Sequence, residues 1–165
     1  MIRLVSALSI STWLFWSPAL GQGVWLPVGT LAPAVQLEDL EGNPVDLGQW
    51  IGERPILLEF WASWCPICEK LEPTMQSAYE RYGDRVTFAI VAVAVNQSKS
   101  RVSRHVERAG VQYATLWDGR GQVVRSYNVQ TTGVIVIVDA EGRISYTGVG
   151  EDQDIETALS AVVGG

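Results

Sequence analysis

The two cysteines of the chain, Cys65 and Cys68, stand two residues apart in the stretch EFWASWCPIC, residues 59–68. Thiols at this spacing can close a disulfide, resolve a mixed disulfide by attack of one on the other, or give two soft ligands to a metal. A purely structural bridge is energetically weak, because so small a loop constrains the unfolded chain little. Pro66 suits the first position of a helix, where a missing N–H costs nothing. Cys65 is therefore placed at a helix N-terminus, where unpaired N–H groups and the helix dipole favour its thiolate. Pro66 and Ile67 carry no charge, so that stabilisation has to come from the backbone and its surroundings.

Glu59 is the third chemical group. It interrupts the apolar run ILLEFWA, residues 56–62, which reads as a buried central strand. A carboxyl there is expected to hold its proton more firmly than usual. It can then pass that proton to and from the second thiol. The plainer reading is a strand-edge carboxylate paired with an arginine.

The elements that must position these groups follow from periodicity. Val35, Leu37 and Leu40, a turn at 41–44, then Val45 and Leu47 predict a hairpin. Ile67, Leu71, Met75, Ala78 and Tyr82 recur at helical spacing up to Gly83, with Pro73 expected to kink the helix. VTFAIVAVAV, from Val86, is a second buried strand. Ser98 caps a helix with Val102, Val106 and Ala109 on one face, closed by Gly110. A strand over 113–117, a short helix over 122–127, a hairpin turning at 139–142 and a last helix after Asp152 complete the chain. The order predicts an α/β domain with a mixed central β-sheet and helices on both faces.

Composition sets the outer limits. Net charge is −6 with no basic run, which argues against nucleic acid as a partner. Residues 1–21 carry one charge, Arg3, then a mostly apolar run over 4–16 and small residues Ala19 and Gly21. This reads as a secretory signal peptide cleaved near Gly21, with an uncleaved membrane anchor as the alternative. Residues 22–32 read as a linker and 33–165 as the domain. His105, the only histidine, flanks an apolar helical face and is expected to pack half-buried.

FWASWCPICEKLEP resembles the active-site segment of thioredoxin-fold proteins, with Trp64 before the first cysteine and Glu59 at the position of the buried acid. The upstream hairpin, the insertion between Val95 and Tyr113, and the YNV and VIVDAEGRI stretches resemble the exported TlpA/ResA-like thiol–disulfide oxidoreductases. The resemblance covers roughly Pro33 to Val163. It implies a thioredoxin fold with an N-terminal β-hairpin and a central insertion. It also implies exchange with protein thiols and disulfides in the periplasm or another exported location, with a membrane or periplasmic electron donor and no cofactor. Reduction is the favoured direction, and a monomer is expected. Cys65 becomes the nucleophile, Cys68 the resolving thiol and Glu59 the proton carrier, with Trp64, Pro66, Thr132 and Gly133 at the substrate.

The sequence departs from the family at two places. The glutamate many relatives carry six residues after the first cysteine is Leu71 here, beside Glu72, which is expected in solvent. The family's cis-proline is also missing, since all seven prolines lie at or before Pro73. Thr132-Gly133 falls there instead. A non-proline cis bond costs about 3–4 kcal/mol, so a trans bond is expected. Gly133 is expected to loosen that wall of the site and bring an N–H beside the disulfide. Two alternatives follow: a copper- or zinc-binding CxxC module, and a redox-impaired thioredoxin-like domain. A peroxidase is disfavoured, because Leu58 and Ala62 stand where peroxiredoxins need proline and threonine.

Overall fold

The computed structural model describes residues 25–164. The leader expected over 1–21 lies outside them. The element order is the one the apolar pattern predicts, with one added 3-10 turn at Leu47–Gln49. Strands β1 (Gln36–Asp39) and β2 (Pro44–Asp46) form the hairpin; β3 (Ile56–Trp61) leads into helix α1 (Pro66–Tyr82). Then come β4 (Thr87–Val93), α2 (Lys99–Ala109), β5 (Ala114–Asp118), α3 (Gln122–Ser126), β6 (Val134–Val138), β7 (Ile144–Val149) and α4 (Ile155–Val163).

The seven strands form one sheet in the order β2-β1-β5-β4-β3-β6-β7. β3, β4 and β5 run parallel, and the remaining pairs are antiparallel. β3 is thus central, and its six residues are all buried. Alternation along it divides the core. Ile56, Leu58 and Phe60 point to one face with Val91, Val134, Val123 and Tyr127 of the α3 side. Leu57 and Trp61 point to the other, Leu57 under α1 and α4 and Trp61 beside Val102 of α2. Three helices cover the face on which Glu59 opens, and α3 covers the opposite one.

Ends of elements match their chemistry. Ser98 caps α2 by accepting from the Arg101 N–H, and Gly110 closes it in the left-handed region at φ 66°. α1 runs unbroken through Pro73, whose ring faces outward. The segment read as a linker is held from Trp25 on. Trp25 and Leu26 pack on the core, Gly29 N–H donates to Ile144 O, and Ile144 N–H donates to Thr30 O. Apolar side chains in that segment gain more from the sheet face than from solvent.

Candidate active site

Cys65 is the N-cap of α1, with extended backbone, and Pro66 opens the helix. Cys65 Sγ accepts the Cys68 N–H at 3.1 Å. The sulfurs are bonded as a disulfide, with Cα atoms 5.3 Å apart. The two differ in access: Cys65 is 6% exposed and Cys68 is 0% exposed. Of the two, Cys65 alone keeps any exposure. Pro66 is exposed in front of the pair, and Trp64 is exposed beside it.

Trp64 is held by its indole N–H, which donates to Val95 O at 2.7 Å. Gln97 tightens the same corner, accepting from Ser63 N–H at 2.8 Å and donating to Val93 O at 2.6 Å. The loop after β4 is thus laced to the segment before Cys65. A groove of about 270 Å³ opens between this corner and residues 129–132, lined by Trp64, Val95, Val129, Thr131 and Thr132 among others. Trp64, Thr132, Pro66 and the cysteines share one end of the sheet. Nothing in the sequence pattern marks Gln97, since an amide in a loop has no periodicity to betray it.

Gly133 forms the other wall. Its φ is +74°, a conformation glycine adopts freely, and no cis peptide bond occurs among the described residues. The N–H that Gly133 adds at this place is committed: it donates to Phe60 O at 2.8 Å. That bond lies just beyond the last registered pair of the two strands, Phe60 with Val134. The Gly133 carbonyl accepts from Gly150 N–H at 3.2 Å and from the Gln153 amide at 3.1 Å. Both backbone polar groups of Gly133 are thus hydrogen-bonded. A Cβ built on it would come 2.7 Å from Ile67 Cγ2 and 4.0 Å from Cys65 Sγ.

Glu59 is 1% exposed, and its Oε1 has no hydrogen-bond partner. Its register neighbours are Ile90 on β4 and Ile135 on β6. Burial pushes its pKa up to about 8, and the nearby Glu72 carboxylate adds to the shift. The strand-edge reading with an arginine partner is thereby excluded. Glu72 is not in solvent as expected. It is half-buried and paired with His105 Nε2. His105 in turn sets its ring on Trp61 at 4.8 Å in a T-shaped contact. The half-buried histidine follows the sequence; its carboxylate partner does not, because the two lie on different helices. Tyr113 borders the same space, and burial with both glutamates raises its pKa.

Among the described residues, no group of three or more His, Cys, Asp or Glu side chains converges as a metal site would require. No helix among them is long and apolar enough to cross a membrane.

The Redoxin family model matches residues 27–162. The thiol–disulfide oxidoreductase ResA of Geobacillus kaustophilus is 32% identical over 137 residues, 82% of this chain and 78% of that protein. The thioredoxin domain of a thiol–disulfide oxidoreductase from Bacteroides vulgatus superposes with a TM-score of 0.72 at 26% identity, covering 83% of this chain and 99% of that one. A thiol:disulfide interchange protein DsbE, so described as putative, from Chlorobium tepidum has the same fold, with a TM-score of 0.74 at 24% identity over 84% of this chain and 99% of that one.

Proposed function

The chain belongs to the Redoxin family and is a protein-disulfide oxidoreductase; on that footing we propose that it reduces protein disulfides, with Cys65 as nucleophile, Cys68 as resolving thiol and Glu59 as proton carrier. The observation that carries this is the asymmetry of the pair: an accessible sulfur at a helix N-terminus, a sealed one behind it, and a buried carboxyl beneath.

The cycle balances in two steps. The reduced Cys65 thiolate attacks a substrate disulfide; a mixed disulfide forms and one substrate sulfur leaves as thiolate, then takes a proton from water. Cys68 next gives its proton to the Glu59 carboxylate and attacks Cys65 Sγ. The Cys65–Cys68 bond forms, and the second substrate sulfur leaves. Two electrons have passed from the dithiol to the substrate. Regeneration runs the other way: a donor thiolate attacks Cys65 Sγ, and Cys68 leaves with the proton that neutral Glu59 supplies. A second donor thiol then releases Cys65. A raised proton affinity at Glu59 suits that second role, because the oxidised site holds the acid ready.

The substrate is read as a protein segment laid between Trp64 and Thr132-Gly133, with its cysteine at Cys65. The leader-like composition of residues 1–21 supports work outside the cytoplasm. Reduction of insulin disulfides by the wild type and by Cys65→Ser tests the activity: equal rates sink it. Equilibration with glutathione tests the direction. A potential near thioredoxin's, about −270 mV, supports a reductase, and one near about −120 mV makes the chain an oxidant.

A further inference from the structure

The cluster behind the disulfide holds two titratable groups the cycle does not use. Cys68 and Glu72 are four residues apart on α1 and so share a helix face, the one turned to β3 and α2. Glu72 meets His105 of α2 there. Trp61, which His105 touches, lies two residues after Glu59 on the same face of β3. Glu59, Glu72, His105 and Tyr113 therefore gather in one wedge between α1, α2 and the sheet. Glu59 is sealed at its base, and the pair is half open at its rim.

We propose that Glu72 and His105 are positioning residues for the exchange reaction: the imidazole, by gaining or losing its proton, covers or bares the Glu72 charge that faces the buried Glu59. The idea rests on Glu59 as the proton carrier. Histidine is the side chain whose charge ordinarily changes between pH 5 and 8. A protonated ring neutralises Glu72, and Glu59 then meets little negative charge. A neutral ring leaves the Glu72 carboxylate uncompensated, and Glu59 keeps its proton more firmly. The Glu72–His105 contact thus sets the charge that the buried Glu59 faces. Titratable and charged groups on every packed element enter this balance. They are Glu72 on α1, Glu59 on β3, Tyr113 before β5, and on α2 itself Arg101 and Arg108, four residues before and three after the ring. The pair also accounts for a charged glutamate lying half-buried in a wedge walled by Trp61 and Val102.

The test is carboxyl-carbon NMR of the oxidised protein labelled in glutamate, followed from pH 5 to 10 with the His105 ring protons. The wild-type Glu59 signal is expected to move in two steps, the first coinciding with the ring. His105→Gln is expected to leave one step. Glu72→Gln is expected to lower the main midpoint by about one pH unit, roughly tenfold in the ionisation constant. A wild-type Glu59 signal indifferent to the ring overturns the proposal without recourse to any variant. So does an unmoved midpoint in Glu72→Gln, or in Glu72→Ala should the first variant not fold. Failure of the underlying reading looks different: Glu59→Gln would then exchange disulfides at the wild-type rate, whatever the titrations show.

Discussion

Gly133 and Ile67 touch across the mouth of the site: the space a Cβ at 133 would need is taken by Ile67 Cγ2, 2.7 Å away. The second residue between the cysteines and the glycine of the facing loop therefore fix each other. A side chain at 133 also meets a backbone held at φ +74°. Gly133→Ala is expected to lose about 1–3 kcal/mol of stability from that conformation. Ile67→Ala should return the steric part of the loss and none of the backbone part. Urea unfolding of the two single variants and the double variant measures this, and strictly additive losses would contradict the contact.

Gly133→Pro, the substitution that restores the family's residue, is expected to be worse than Gly133→Ala. Proline is locked near φ −65° and has no N–H, whereas Gly133 N–H donates to Phe60 O. Insulin reduction by this variant is expected to fall. A gain in rate with unchanged stability would show that the loop can re-form around a proline.

Glu59 predicts how stability depends on pH. An unfolded glutamate titrates near 4.5, and burial lifts the folded value to about 8. Between those values the folded chain holds a proton that the unfolded chain has released. Stability should thus fall as pH rises through this window, by about 1.4 kcal/mol per unit at most, and flatten above it. Below pH 4.5 both states are protonated and the residue contributes no slope. Glu59→Gln is expected to remove this slope between pH 5 and 8 in urea titrations. The same variant should slow turnover about 10²-fold through loss of the proton carrier. A slope that persists in the variant would assign it to another group.

The unequal access of the thiols predicts unequal chemistry. In Cys68→Ser, Cys65 should alkylate rapidly at neutral pH and accumulate a mixed disulfide with substrate. In Cys65→Ser, the remaining thiol is 0% exposed and should alkylate at least about tenfold more slowly. Iodoacetamide rates followed by mass spectrometry decide this, and equal rates would reverse the roles.

Trp64 predicts a binding effect rather than a chemical one. Trp64→Ala removes an exposed face of the groove and the bond to Val95 O while leaving both sulfurs in place. KM for a protein disulfide is expected to rise several-fold with kcat little changed. A drop in kcat alone would assign Trp64 to the reaction step.

The sheet and its helices were legible because burial writes itself into spacing: the unbroken apolar run at Ile56–Trp61, interrupted only by Glu59, and helical recurrence at Ile67, Leu71 and Met75 each come from one-dimensional rules. The cysteines and Glu59 were legible because they break such a pattern. The partners of these groups were not. Glu72 meets His105 from another helix, Gln97 and Gln153 reach backbone atoms from loops, and Gly133 meets Phe60 from the loop before β6. Those contacts depend on which elements become neighbours, and composition around each residue carries no trace of it. The bond that commits the Gly133 N–H has the same origin.

Gln153 ties together two places that chemistry would treat separately. Its amide nitrogen donates to both Gly133 O and Gly150 O, at 3.1 and 2.7 Å, and its side-chain oxygen accepts from the Tyr146 hydroxyl at 3.4 Å. A covalent ring that stiffens a turn is an all-or-none restraint, present or absent with one codon. Three hydrogen bonds spread over a turn, a strand and the entry to α4 form a graded one. The stiffness of this wall can then be adjusted in small increments, from positions that never meet the substrate and without touching either sulfur.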